Sequence, residues 1–174
     1  MASIKPNHYL LSDLHLGHEG ILGYCRPWFK TIQDHDDFII EQICKLTHSD
    51  YLWILGDIAW NKKALLRLNE APCHKGMVGG NHDNMKAADY LEVFHKVKGV
   101  ATMFKEGYGT VLFTHIPMHP DQMRWVKNIH GHLHTYHVDD DRYINVSCEP
   151  MGFRPQRVKD VLEHGPQCDD RFST

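Results

Sequence analysis

Apolar residues in this chain fall into short runs separated by Gly, Pro, Asp and His, and most of the runs have the length of a strand. Residues 9–11 (Tyr-Leu-Leu) and 51–55 (Tyr-Leu-Trp-Ile-Leu) are nearly all apolar, the pattern of strands covered on both faces. Between them, residues 16–30, with their glycines and Pro27, read as a long loop. Thr31 or Asp34 can cap a helix running to about Leu46, because Phe38, Ile39, Gln42, Ile43 and Leu46 recur on one face. Residues 62–70 read as a second, shorter helix, and 74–78 as a weaker strand closed by Gly79-Gly80. Residues 100–105, 110–114, 128–130, 136–138 and 143–146 read as short strands, so the second half is expected to be β-rich. Residues 157–164 read as a closing helix, and the tail from Gly165 is expected to fray.

Five polar clusters punctuate this pattern, mostly just after an apolar run: Asp13-Leu14-His15, Gly56-Asp57, Gly80-Asn81-His82-Asp83, Thr114-His115 and Gly131-His132-Leu133-His134. Successive side chains of a strand point to opposite faces, but residues in the loop beyond it are freed from that alternation and can converge. The ends of strands are also where open α/β sheets bind ligands.

A length of 174 residues suits one domain, 1–174, able to bury roughly 70% of the unfolded chain's surface. A hydrophobic fraction of 42%, a charged fraction of 24% and a net charge of −3 describe an ordinary globular chain with no broad basic field for nucleic acid. Histidine is over-represented: of fifteen, His15, His18, His82, His115, His130, His132 and His134 lie in or beside the clusters, which favours ligation or proton transfer. The five cysteines are scattered and form no Cys-x-x-Cys pair, as in a reduced protein. The start of the chain lacks the features of a signal peptide, and no run approaches the ~18 apolar residues of a membrane span, so a cytoplasmic location is expected.

The clusters offer oxygen and imidazole nitrogen but no thiolate, a donor set suited to Mn²⁺, Fe²⁺, Zn²⁺, Co²⁺ or Ni²⁺. Where two such ions lie about 3.5 to 4 Å apart, one carboxylate can bridge them and a shared water loses a proton near neutral pH. Asp57, at the end of the most apolar strand, is the natural bridge.

The order of the clusters resembles that of the calcineurin-like metallophosphoesterase superfamily: Asp-x-His, Gly-Asp, Gly-Asn-His, His, Gly-His-x-His. The segment from Ser12 to Pro27 further resembles its small bacterial and phage members. The resemblance implies an α/β fold of two facing mixed β-sheets flanked by helices, a four-layer α/β/β/α sandwich. It assigns Asp13, His15, Asp57 and His134 to one metal, and Asp57, Asn81, His115 and His132 to a second. The cofactors implied are two divalent ions, Mn²⁺ before Fe, Zn, Ni or Co. His82 takes the place of the proton donor to the leaving oxygen, with Asp83 orienting or charging it. Arg26 is either a clamp for a phosphate oxygen or a solvated loop arginine.

The activity implied is hydrolysis of a phosphomonoester or phosphodiester, with a small nucleotide-like substrate, by in-line attack of a metal-bridging hydroxide. Asp57 is followed by Ile58-Ala59-Trp60-Asn61-Lys62, unlike the Gly-Asp-x-x-Asp-Arg-Gly block of protein phosphatases. A nuclease of this kind would be expected to carry a capping domain and a basic surface, and remains an alternative. A non-catalytic metal-binding scaffold is another, although such relatives commonly lose ligands kept here. Without a metal, the same Asp and Asn residues would serve as turn and cap residues. His130 reads as packing or support for the ligands, His119 as a loop residue, Trp53, Trp60 and Trp125 as core or rim, and Cys25 as a small buried residue.

Overall fold

In the computed structural model, which describes residues 2–172, the apolar runs form two mixed sheets. The strands are β1 (Ala2–Ser3), β2 (His8–Leu11), β3 (Tyr51–Leu55), β4 (His74–Val78), β5 (Lys96–Lys98), β6 (Ala101–Lys105), β7 (Gly109–Phe113), β8 (Lys127–His130), β9 (Tyr143–Asn145) and β10 (Gln156–Arg157). One sheet has the order β10-β2-β3-β4-β5 and the other β1-β6-β7-β8-β9. In the first, β2 to β5 are parallel and β10 is antiparallel at the edge. In the second, only the β6–β7 pair is antiparallel. The parallel pairing brings the C-terminal ends of β2, β3 and β4 to one edge, and those of β7 and β8 likewise to one edge of theirs.

The two inner faces share one core. Leu11, Ile54, Phe113 and Ile129 are all 0% exposed, and Trp53 of β3 meets Phe113 of β7 edge to face with ring centroids 6.2 Å apart. At the strand ends the sheets are joined by a parallel bridge between Ser12 and Ser147. The helices α1 (Gly20–Cys25), α2 (Ile32–Cys44), α3 (Lys62–Leu66), α4 (Ala87–Leu91) and α5 (Val158–His164) lie in the connections. Thr31 caps α2, its hydroxyl accepting from the Asp34 N–H at 3.1 Å, and Ile39, Ile40 and Ile43 bury one face. The second helix read from sequence is α3 continued by a 3-10 turn over Arg67–Glu70. No helix among the described residues is long and apolar enough to cross a membrane.

Three expectations are corrected. The loop over 16–30 contains α1, whose glycines disfavour a helix but whose Ile21 is 2% exposed and anchors it to the core. Residues 136–138 are not a strand. Tyr136 and His137 are exposed, and the carbonyls of His134 and Tyr136 accept from Asn145 Nδ2 at 2.8 Å instead of from a neighbouring strand. The tail beyond Gly165 does not fray as far as Phe172, which is 7% exposed and packs against Phe153 with ring centroids 4.6 Å apart. The helix α4 and strand β5 were not expected at all. Lys96–Lys98 is exposed, with Val97 its one apolar residue, so it is too short to show an apolar period and becomes a strand by pairing with β4.

Phe172 also meets Trp28, Phe29 and Phe38. Phe172→Ala should therefore destabilise the fold by about 3 kcal/mol, the low end for a buried phenylalanine because a residue on a short 3-10 turn can relax into the space. Urea unfolding measures this, and a loss below about 1 kcal/mol would show the tail to be peripheral.

Candidate metal centre

The site is built where both sheets end. Asp13 and His15 follow β2, Asp57 follows β3, Asn81 and His82 follow β4, His115 follows β7, and His132 and His134 follow β8. Among the described residues, six non-glycine residues have left-handed backbone, and five of them are in this set: Asp13 (φ 57°), His15 (φ 48°), Asp57 (φ 51°), His132 (φ 70°) and His134 (φ 50°). Such a conformation costs an L-residue about 1 kcal/mol or more and persists only where the surroundings enforce it. Here it turns each side chain out of the strand alternation toward a common point. The backbone is fixed by bonds between the loops, Asp13 N–H to Gly56 O at 3.0 Å and His15 N–H to Asp57 O at 2.9 Å.

The side chains form two groups with ligand atoms mutually within 4.8 Å: Asp13, His15 and His134, and Asp57, His115 and His132. Asp57 joins them. Its Oδ2 lies 3.7 Å from His15 Nε2 and 3.3 Å from His115 Nε2. Atoms about 2.1 Å from a shared ion stand roughly 3 to 4 Å from each other, so these separations suit ligands of common ions. Space around Asp57 depends on two glycines. A Cβ on Gly56 would stand 2.5 Å from His115 Nδ1, and one on Gly80 would stand 2.5 Å from the Asp57 nitrogen.

Hydrogen bonds fix which nitrogen of each imidazole faces inward. His115 Nδ1 donates to Leu55 O at 2.8 Å, leaving Nε2 among acceptors only: Asp57 Oδ2 and, at 2.9 Å, Asn81 Oδ1. His134 Nδ1 donates to Glu149 Oε1 at 3.1 Å and turns Nε2 to within 3.9 Å of Asp13 Oδ1. His15 Nε2 is buried and has no hydrogen-bond partner among the described residues, although two carboxylates lie within 4.0 Å. Nitrogen lone pairs gathered against carboxylate and amide oxygens need a cation between them. The donor set therefore fits divalent metal.

Without a metal, a proton on His115 takes part of that role. Burial alone would raise Asp57, but the adjacent His115 imidazole holds its carboxyl below the usual value. Burial alone would lower His115, but the Asp57 carboxylate raises it to about 9. His15 is lowered by burial first and then by Arg26, so it stays neutral and able to ligate. Asp13 is 0% exposed; its carboxylate accepts from His132 N–H at 2.9 Å and from Ser147 Oγ at 3.0 Å.

Around the inner residues runs a buried polar layer that sequence reasoning missed. Arg26 is 0% exposed, so the expectation that it clamps a phosphate oxygen is corrected, and so is the solvated alternative. Its Nε donates to Glu149 Oε1 at 2.8 Å, Nη1 to Leu14 O at 3.0 Å, and Nη2 to Asp13 O. Nη1 also donates to His35 Nε2 at 2.7 Å, so His35 carries its proton on Nδ1 and donates it to Asp36 Oδ1 at 2.8 Å. Asp36 in turn accepts from Gly17 N–H at 2.9 Å. One signal was present in the sequence, since His35 and Asp36 stand four residues before the core residues Ile39 and Ile40. Glu149 had none beyond following a strand. Burial would raise its carboxyl, but Arg26 and His134 hold it well below the usual range.

Asp83 is a second correction. Its carboxylate accepts from the backbone N–H groups of Asp57, Ile58 and Gly80 at 2.8 to 3.0 Å and thus shapes the loops instead of orienting the His82 ring. His82 is exposed, with its ring 5.7 Å from that of His15 and 5.8 Å from that of Trp60, and its N–H donates to Asp57 Oδ1 at 2.9 Å. His18 lies 3.3 Å from His15, nitrogen to nitrogen, and stacks on Trp60 with ring centroids 4.0 Å apart. His130 is 0% exposed behind the site, and His119 caps a short turn. Cys25 donates to Glu149 Oε1, and burial pushes its thiol up to about 12.

No family model matches the chain. It is similar to an uncharacterized protein of Methanocaldococcus jannaschii, 26% identical over 162 residues and covering 84% of each chain. Its fold is similar to the crystal structure of a protein of unknown function, AQ665, from Aquifex aeolicus. That match has a TM-score of 0.71 and 24% identity, and covers 90% of this chain and 97% of the other. The structural likeness carries the fold alone, and neither protein's name states an activity.

Two outcomes follow from the geometry. Glu149→Ala removes the acceptor that sets the His134 ring and should weaken divalent metal binding about 10- to 100-fold; equilibrium dialysis against Mn²⁺ measures it, and unchanged binding would remove Glu149 from the site. In the metal-free protein, the contribution of protonated His115 to stability is complete below its ordinary value of 6.5 and lost as pH rises through about 9. Ligation needs the neutral ring, so metal uptake at pH 7.5 should release protons and tighten as pH rises toward that value. Calorimetric titration in buffers of different ionisation enthalpy counts the protons; a count of zero would contradict the assignment.

Proposed function

We propose that the protein is a dinuclear metal-dependent phosphoesterase with the four-layer sandwich of the calcineurin-like metallophosphoesterases, acting on a small phosphate ester. The observation that carries this reading is the position of Asp57 Oδ2, within 3.7 Å of an inward imidazole nitrogen from each of the two donor groups. Asp13, His15, Asp57 and His134 would hold one ion, and Asp57, Asn81, His115 and His132 the other. Bound there, the pair would supply Lewis acidity toward phosphoryl oxygens and lower the pKa of water held between them.

The protein's own residues do the rest. His115 is set by its bond to the Leu55 carbonyl and Asp13 by bonds from the His132 N–H and the Ser147 hydroxyl, so these buried donor atoms need little reorganisation when charge develops on the phosphoryl group. The Glu149 carboxylate and the Arg26 guanidinium keep His134 and the Asp13 backbone in place. His82, exposed beside His15, is placed to give an imidazole proton to the departing oxygen, since its backbone is tied to the Asp57 carboxylate.

With Mn²⁺ present, Asp57→Asn and His132→Ala should abolish turnover of chromogenic phosphate esters. His82→Ala should lower kcat by about 10² to 10⁴ with a smaller change in KM. Steady-state kinetics on mono- and diester substrates side by side tests this. Wild-type rates in all three variants, or two tightly bound ions without turnover of any ester in a broad panel, would reject the reading in favour of a metal-binding scaffold.

A further inference from the structure

The cavity over the candidate centre, about 370 Å³ in volume, has a polar floor and aromatic walls. Asp57, His132 and His134 lie at its base, His82 at one side, and Tyr24 and Tyr136 on its walls. The two tyrosines come from different elements, one from α1 and the other from the loop after β8. They remain 71% and 72% exposed. A single exposed aromatic residue is ordinary. Two on the walls of one cavity, both beside a candidate metal ligand, form a surface for a flat group.

Neither tyrosine hangs loosely. The helix carrying Tyr24 is anchored by buried Ile21, and the Tyr24 ring stands edge-on to His134 with centroids 5.8 Å apart. Tyr136 is held by its N–H bond to Leu133 O and by Asn145, which donates to its carbonyl, both at 2.8 Å. With the main chain fixed, only the two side-chain torsions of each tyrosine are left to order on binding, and stacking is available to any planar ring.

Charge divides the ligand into two parts. No Lys or Arg lines the cavity, and Arg26 is buried with its donors committed to Glu149, Leu14, Asp13 and His35. On the phosphoesterase reading the phosphoryl group would be met by the bound ions, which leaves the tyrosine walls to meet the rest of the ester. Past Tyr136 lies a cleft of about 650 Å³ that shares His134 and Tyr136 with the cavity and is lined by Asp139, Asp140 and Asp141 and by no Lys or Arg. Two of these carboxylates are met by cations behind them, Asp140 by Arg142 at 2.6 Å and Asp141 by Lys127 at 4.0 Å, and the cleft has room for the arm of an ester that reaches past Tyr136.

We propose that Tyr24 and Tyr136 are specificity-determining residues that flank the planar arm of a small phosphate ester, so that the site selects esters bearing a nucleobase or similar aromatic group. This rests on the phosphoesterase reading above. The test compares two diesters with the same leaving group, thymidine 5′-(p-nitrophenyl phosphate) and methyl p-nitrophenyl phosphate, on the Mn²⁺-loaded full-length protein. The wild type should favour the nucleoside ester in kcat/KM by about tenfold or more, Tyr24→Ala and Tyr136→Ala should each reduce that ratio at least about fivefold, and the Phe variants should retain it. Calorimetry with thymidine 5′-monophosphate against methyl phosphate reads the same preference at equilibrium, and circular dichroism confirms that the variants fold. A wild-type ratio near one in both assays, or a ratio unchanged in both Ala variants, overturns the proposal. If neither ester is turned over but the nucleotide still binds more tightly through the tyrosines, the catalytic reading fails and the aromatic grip stands.

Discussion

One carboxylate oxygen between two imidazole nitrogens is the constraint on which the rest of this structure depends. Asp57 is 3% exposed and faces His15 on one side and His115 on the other, in a place where water cannot easily satisfy any of them. Burying such groups is costly unless a cation is shared among them. In the metal-free protein the His115 proton fulfils that need; a divalent ion would fulfil it more completely. The backbone shows what the arrangement requires, because Asp57, its neighbours in the first sheet and the two histidines beyond β8 all adopt left-handed conformations. Parallel strands supply the common edge, and glycines at positions 56 and 80 leave the volume that any side chain would fill.

Behind that edge, Arg26 and Glu149 form a buried ion pair whose value lies in geometry more than in stability. Replacing such a pair by apolar residues of the same size can leave a protein as stable or more so. Here, though, the guanidinium holds the carbonyls of Asp13 and Leu14 and the carboxylate holds the Nδ1 proton of His134. The extension through His35 and Asp36 to the Gly17 N–H ties α2 to the loop carrying His15 and His18. A change in that helix would thus be felt at the inner histidines through a chain of specified donors and acceptors.

The inner residues were legible in the sequence because strand-length apolar runs announce where a sheet ends, and polar residues placed there have few other uses. The outer layer was not. A lone arginine in a loop with three glycines gives no sign that it will be enclosed, and α1 forms only because Ile21 finds the core. Residues 136–138 misled because their alternation of polar and apolar groups matches a strand, while the partner needed for pairing is replaced by the Asn145 side chain. The exposed strand β5 is the opposite case, a segment with no period of its own that is recruited by a neighbour's free edge. Tertiary contacts decided each of these, and a window of sequence contains none of them.

Burial falls off outward from Asp57. Asp13, His15, Asp57 and His115 are each under 5% exposed, which suits groups whose positions must not change. Asn81 and His82 are exposed, yet the His82 backbone N–H is bonded to the other oxygen of Asp57 at 2.9 Å. As the proton donor of the proposed reaction, His82 would have to exchange with water between turnovers, and it would also have to return to one place. Anchoring the main chain of His82 to the central carboxylate while leaving its ring at the surface meets both requirements. On the proposed reading, the same oxygen pair would then set the distance between the metal centre and the leaving group's proton.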